Sequence, residues 1–338
     1  MGWGGSFPLC VIVALALPGS GAGSCPRSCT CAEDSATVSC PEWRDGDVPV
    51  DVPVWASTLD ARGGNVSALP AGAFCSNGTE LELVSLLLSR NGIRAIGAHA
   101  FLGLPRLELL DLSYNRLRSV SADAFHGLRE LRYLYLNGTL GASAAAELPG
   151  ALASDSLRNL LRLELSGNRL KTIPLASFET LNLHALVLTN NSLETVAGEN
   201  VTSLGEFRSL RVYLALNPFR CACELQAFYH WLKNSSQQCP DMHRLLCAQP
   251  DERRGQQVEK LRREDVECAS AELEAVSYVF LGIVLALIGV VFLMVLYLNR
   301  GGIKRWLNNI REACRDQMEV YHYRYEQDSD PRLANVAV

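Results

Sequence analysis

The sequence predicts a curved α/β solenoid of stacked short parallel strands, with a cysteine-rich lid at each end and one membrane helix after it. Three observations carry this prediction. A leucine motif recurs at near-constant spacing from Leu83 to Asn217, cysteines cluster on either side of it, and Tyr278 to Leu298 is an uncharged apolar run. The net charge of −5 argues weakly against a nucleic-acid partner.

Leu9 to Leu17 is a short apolar run followed by the small residues Ser20, Gly21, Ala22 and Gly23. That is the layout of a secretory signal peptide over residues 1–23, although no Lys or Arg precedes its apolar core. Next comes Cys25-x3-Cys29-x-Cys31-x8-Cys40, within an amino-terminal cap over 24–58. A second group lies between Cys221 and Cys268, within a carboxy-terminal cap over 218–269. Clusters like these in an oxidising compartment read as disulfide-closed caps. Metal binding is the alternative, and neither group has a zinc-site Cys/His spacing.

Between the clusters, over 59–217, the chain repeats. Leu83-x2-Leu86-x-Leu88-x2-Asn91 returns 24 residues on as Leu107-x2-Leu110-x-Leu112-x2-Asn115. Leu131-x2-Leu134-x-Leu136 continues the step with Thr139 at the Asn position. The motif resumes at Leu160 to Asn168 and Leu183 to Asn191, and it ends with Val212-x-Leu214-x2-Asn217. This is the leucine-rich repeat pattern. The fold class is therefore an α/β leucine-rich repeat solenoid with a curved, parallel concave sheet, disulfide-bonded caps and one transmembrane helix. Each LxxLxL supplies a short strand with inward leucines, and the Asn turns the chain and satisfies backbone groups of the turn. Ile93, Ile96 and Phe101, then Leu117, Val120 and Phe125, fill the convex side. No repeat buries its apolar face alone, so stacking makes the core and the ends need lids.

An insert rich in Ala, Gly and Ser near 138–159 delays the next strand to Leu160. It reads as a degenerate repeat with a loop or helical turn on the convex side, or as a protrusion that meets a partner. Propensity suggests one helical turn at Ala144 to Leu148, stopped by Pro149 and Gly150. The first repeat is also weak, with Leu59-Asp60-Ala61 and Gly64 in place of stronger signals.

After a stalk over 270–277, the run 278–298 is long enough to cross a bilayer. Arg300, Lys304 and Arg305 follow it, and basic flanks mark the cytoplasmic end. The topology is single-pass with the ectodomain outside, and the plasma membrane is the expected location. Gly282, Ala286 and Gly289 put small residues near one face, a pattern that admits a homodimer. The cytoplasmic tail over 299–338 opens with apolar residues at helical spacing among basic ones, Ile303 to Arg311, an amphipathic juxtamembrane pattern. Val336 and Val338 close the chain with apolar side chains, which suits strand addition to a PDZ domain.

Six N-x-S/T sequons, at Asn65, Asn77, Asn137, Asn190, Asn200 and Asn234, are candidate glycosylation sites. No nucleophile elbow, HExxH or glycine-rich phosphate loop accompanies the ectodomain histidines His99, His126, His184, His230 and His243. No enzyme activity and no cofactor are expected. A solenoid offers instead an extended concave sheet for a macromolecule. Its exposed strand positions include Tyr133 and Tyr135, flanked on neighbouring strands by Glu108, Asp111, Arg162 and Glu164, an aromatic and charged mixture suited to protein binding.

The block from Ser277 to Leu333 resembles the membrane and tail segment of the trophoblast glycoprotein and trophoblast glycoprotein-like family. The ectodomain agrees in order: the Cx3CxCx8C cap, LPAGAF at 69–74, repeats broken by an insert, Asn217-Pro218-Phe219-x-Cys221-x-Cys223, and Trp231-Leu232-Lys233. The resemblance implies the pairings Cys25–Cys31, Cys29–Cys40, Cys221–Cys247 and Cys223–Cys268. Cys75 and Cys239 are left to pair with each other, to stay free or to link two chains. The resemblance further implies a non-enzymatic cell-surface glycoprotein that inhibits Wnt/β-catenin signalling at the Wnt co-receptor. At three positions the chain departs from trophoblast glycoprotein, with Ser39 for Lys, Asp60 for Phe and Gln249 for Tyr. Two readings stay open: a modulator acting on the Wnt co-receptor of the same cell, and an adhesion or synaptic-type repeat protein that binds a receptor in trans and is anchored by a PDZ protein.

Overall fold

The computed structural model describes residues 25–44, 52–75, 80–175, 180–268 and 271–328. The proposed leader, the Asn77 sequon and the terminal Val336 and Val338 lie outside the described residues. The chain divides into two compact units, Met1–Cys268 and Ala269–Val338.

The first unit is built on a nine-stranded sheet. Thr30–Ala32 runs antiparallel to Thr37–Ser39, and every later strand adds in parallel, one per repeat, up to Arg211–Tyr213. The register stacks the middle residue of each strand on its neighbour. Val38, Leu59, Leu86, Leu110, Leu134, Leu163, Leu186 and Val212 thus form one fully buried column. Residues on either side of the column point to the opposite face, because side chains alternate along a strand.

Most of the short strands run into a turn Asn, whose hydrogen bonds tie each turn to its neighbours. Asn115 Nδ2 donates to the carbonyls of Leu112 (2.7 Å) and Leu88 (2.9 Å), while its Oδ1 accepts from Asn91 N (3.0 Å) and Ile93 N (3.1 Å). Asn168, Asn191 and Asn217 bridge their neighbouring turns in the same way. The residue before each of these positions has left-handed backbone: Gly63, Arg90, Tyr114, Gly138, Gly167, Asn190 and Leu216 all have positive φ. At the weak first repeat, a side chain on Gly64 would put its Cβ 2.6 Å from Asn91 Oδ1, so the ladder ends there in glycine.

On the convex side Phe74, Phe101 and Phe125 stack with centroids 5.8 and 6.0 Å apart. A three-stranded parallel sheet, Ala68–Leu69, Ala95–Ile96 and Ser119–Val120, runs beside them. The insert then replaces the next convex strand with helix α1, Ala142–Leu152, which is longer than the single turn expected from sequence and carries Pro149 inside it. Pro149 removes the N–H that would bond to Ala145 and costs about 3 kcal/mol relative to Ala. Burial of Ala144, Leu148, Ala151 and Leu152 outweighs this, since each leucine side chain alone contributes about 1.5–3 kcal/mol.

Helix α2 (Gly198–Glu206) precedes the last strand, and helix α3 (Gln226–Asn234) buries Phe228, Tyr229, Trp231 and Leu232 in the carboxy-terminal cap. Disulfides join Cys25 to Cys31, Cys29 to Cys40, Cys221 to Cys247 and Cys223 to Cys268. Cys239 is a buried thiol and so is not bonded to Cys75. Asp241 closes the edge of the main sheet: its carboxylate accepts the N–H groups of Leu214 (3.0 Å) and Ala215 (2.8 Å), whereas one repeat earlier the Leu188 N–H bonds to the Tyr213 carbonyl of the next strand.

The second unit opens with helix α4, Ala271–Leu298, so residues 271–277 of the expected stalk are already helical. Within it, Tyr278–Leu298 is long and apolar enough to cross a membrane. Helix α5, Arg300–Asp328, follows after Asn299.

Candidate binding surface on the concave face

The parallel register sorts the outward-facing residues of the concave sheet into two rows. One contains Thr58, Ser85, Leu109, Tyr133, Arg162, Ala185 and Arg211, and the other Ser39, Asp60, Leu87, Asp111, Tyr135, Glu164, Val187 and Tyr213. Neighbouring strands lie about 4.8 Å apart, so residues two dozen positions apart in sequence become side-by-side neighbours. Tyr133 stands between Leu109 and Arg162, and Tyr135 between Asp111 and Glu164.

Hydrogen bonds fix the charged members. Arg162 Nε donates to Glu164 Oε1 (2.7 Å), and Asn137 Nδ2 donates to Glu164 Oε2 (2.8 Å). Asp111 Oδ1 accepts the Ser113 N–H at 2.9 Å. Burial, followed by the negative charge of Glu164, pushes the Tyr135 hydroxyl above the usual phenol range, which leaves Tyr135 a neutral donor and acceptor. Tyr133, Tyr135, Asp111, Arg162 and Glu164 therefore share one patch. Glu108 sits at its edge, outside the strand Leu109–Asp111, with its carboxylate 3.8 Å from Arg132.

A shallow groove nearer the amino-terminal cap was not legible in the sequence. Ser39, Asp60, Arg62, Arg90, Asp111 and Tyr114 line it. Arg62 clamps Asp60 through two hydrogen bonds of 2.8 and 2.6 Å and holds its carboxyl below the usual range. Tyr114 is 58% exposed at a φ of 58°, and the Arg90 guanidinium lies 5.4 Å from its ring centroid. A bulky residue in left-handed backbone is uncommon. The one available sequence signal was a Tyr at the position that Gly63, Gly138 and Gly167 hold in other repeats.

Ser39 and Asp60 are cross-strand neighbours. Gln249 belongs to the carboxy-terminal cap, where Cys247–Gln249 pairs with Phe219–Arg220, so the three departures do not form one surface. Asn65, Asn190 and Asn234 are exposed and Asn200 is half-exposed on α2, whereas Asn137 lies half-buried on the concave side with both amide atoms bonded, its Oδ1 to Ser166 N at 2.8 Å. The repeat also brings two of the scattered histidines together: His99 and His126 meet edge-on with centroids 4.8 Å apart. Among the described residues no cluster of His, Cys, Asp and Glu has the makings of a metal site.

The leucine rich repeat family matches residues 82–140. Trophoblast glycoprotein of Macaca fascicularis is 37% identical over 356 residues, covering 93% of this chain and 84% of the relative. Human trophoblast glycoprotein-like is 42% identical over 357 residues, covering 96% and 92%. Among solved structures, that of human trophoblast glycoprotein, also called Wnt-activated inhibitory factor 1, superposes with a TM-score of 0.57 at 31% identity, covering 72% of this chain and 99% of that one.

Proposed function

The chain belongs to the trophoblast glycoprotein family, and from that premise we propose that it inhibits Wnt/β-catenin signalling by binding the Wnt co-receptor through its ectodomain. It is a single-pass type I protein of the plasma membrane with its ectodomain outside, and it is not an enzyme. Its partner is an extracellular protein of the Wnt pathway. The observation that carries the proposal is the likeness to a solved protein whose own name is Wnt-activated inhibitory factor 1.

The proposed contact is the concave patch of Tyr133 and Tyr135, with Asp111, Arg162 and Glu164 around them and Glu108 at the rim. Aromatic side chains held between fixed charges give contact area at small entropic cost. Inhibition then proceeds by occluding the co-receptor or by redirecting its endocytosis. The disulfide pairs hold the caps that keep this sheet stacked, and the Asn137 sequon touches the patch through its hydrogen bond to Glu164. A PDZ protein at Val336 and Val338 and a homodimer through Gly282, Ala286 and Gly289 complete the proposed set of partners.

The adhesion reading keeps one observation in its favour: Ser39 and Asp60 replace Lys and Phe at adjacent strand positions, which changes both charge and shape there. A β-catenin-dependent reporter in Wnt-stimulated cells, normalised to surface level, separates the two. A fall in output with the native chain supports inhibition. No fall, with inhibition gained in a Ser39→Lys, Asp60→Phe variant, overturns it and directs the search to partners on an opposing cell.

A further inference from the structure

We propose that helix α5 binds the anionic inner leaflet of the membrane that α4 spans, lying on it through one apolar stripe. At 3.6 residues per turn, Ile303, Trp306, Leu307, Ile310, Cys314 and Met318 fall on one side of α5. Their exposure is large: Trp306 is 63% exposed, Leu307 53% and Met318 74%. Lys304, Arg311 and Arg315 form a shoulder along one edge of the stripe, and the acidic Glu312 and Asp316 lie on the far side of the helix.

The occupant follows from position and charge. α5 begins at Arg300, with only Asn299 between it and the end of α4 at Leu298, so the stripe starts at the bilayer surface. An apolar face with a basic edge next to anionic headgroups is the arrangement of an interfacial helix, and a tryptophan at that depth suits its amphipathic ring. A parallel second copy is the competing occupant. It would set the basic shoulder of one helix against Asn309 and Ala313 of the other, with no acid there to pair. To lie on the leaflet α5 must turn out of the line of α4, and Gly301 and Gly302 at its start are where the helix yields most easily. A side chain on Gly302 would put its Cβ 2.7 Å from Asn299 Oδ1, so glycine also lets Asn299 close against the joint.

The inference rests on the membrane topology and is independent of the Wnt reading. The full chain is placed in nanodiscs of phosphatidylcholine alone or with added phosphatidylserine, carrying an environment-sensitive dye on Cys314. Quenching by a neutral water-soluble quencher is expected to fall several-fold in the anionic discs. Charge removal by Lys304→Gln, Arg311→Gln and Arg315→Gln together is expected to restore it. A dye at Asn309→Cys in a Cys314→Ser background should stay quenched in both. Equal quenching at Cys314 in the two compositions overturns the proposal. Oxidative Cys314–Cys314 cross-linking in discs holding two copies assigns the stripe to a second chain and overturns it too.

Discussion

Glu147 Oε2 accepts the backbone N–H of Val120 at 2.8 Å, across 27 positions of sequence. Ser119–Val120 is the last strand of the convex sheet, and in a regular array the next repeat would supply a carbonyl to that N–H. The insert helix supplies a carboxylate instead. Replacing Glu147 with Leu leaves a part-buried donor without a partner and is expected to cost about 1–3 kcal/mol, read as a lower melting temperature of the ectodomain. Glu147→Gln keeps an acceptor and should recover most of the loss.

The Asn ladder makes a sharper contrast. Asn115→Ala removes partners from buried backbone groups of two successive turns. A loss of about 3 kcal/mol or more is expected, enough to reduce secretion. At the same ladder position one repeat on, Thr139 has a buried hydroxyl with no hydrogen-bond partner. Thr139→Val keeps the shape and removes that polar atom, so melting should stay level or rise. It also abolishes the Asn137 sequon without altering the Asn137–Glu164 bond, which gives a sugar-free concave patch for binding assays.

Acid titration reports the Asp60–Arg62 clamp. The Asp60 carboxyl is held below its ordinary value chiefly by the Arg62 hydrogen bond. A depressed carboxyl contributes stability above the unfolded value of about 4 and loses it as pH falls through the folded value. The pair is partly exposed, so the contribution is about 1 kcal/mol or less. Arg62→Ala should lower the melting temperature slightly at pH 7 and make no difference near pH 2, and a difference that persists at pH 2 would assign the effect to packing.

Cys239 should resist alkylation in the folded protein and react after denaturation. Burial, then the charge of neighbouring Asp241, pushes its thiol far up, and the thiolate is the reactive form. At 1% exposure it is also out of reach of a second chain. Rapid labelling of Cys239 by maleimide in the native state would contradict this.

Tyr133→Ala combined with Tyr135→Ala should weaken binding of the extracellular partner at least tenfold, in line with loss of a central aromatic pair. Both side chains point out of the sheet, and the buried column at Leu134 is untouched. Surface expression is therefore expected to stay normal. Full inhibition by this variant in the reporter assay would move the contact to the groove around Tyr114.

The sequence by itself determined the repeat, its inward leucines, the turn Asn residues and the membrane span, because each depends on residues close together in the chain. Tertiary structure decided what the repeats bring together. Asp111, Tyr135 and Glu164 form one row only because the parallel register is unshifted across the insert, although the spacing in sequence lengthens there. Asp241 closes the main sheet and Glu147 closes the convex sheet from segments that carry no repeat signal. α1 continues through Pro149 because burial of its last turn outweighs a local preference to stop. Local preferences are written in neighbouring residues, whereas the partner of an open backbone group at the edge of a stack is chosen by whichever side chain the packing delivers to it.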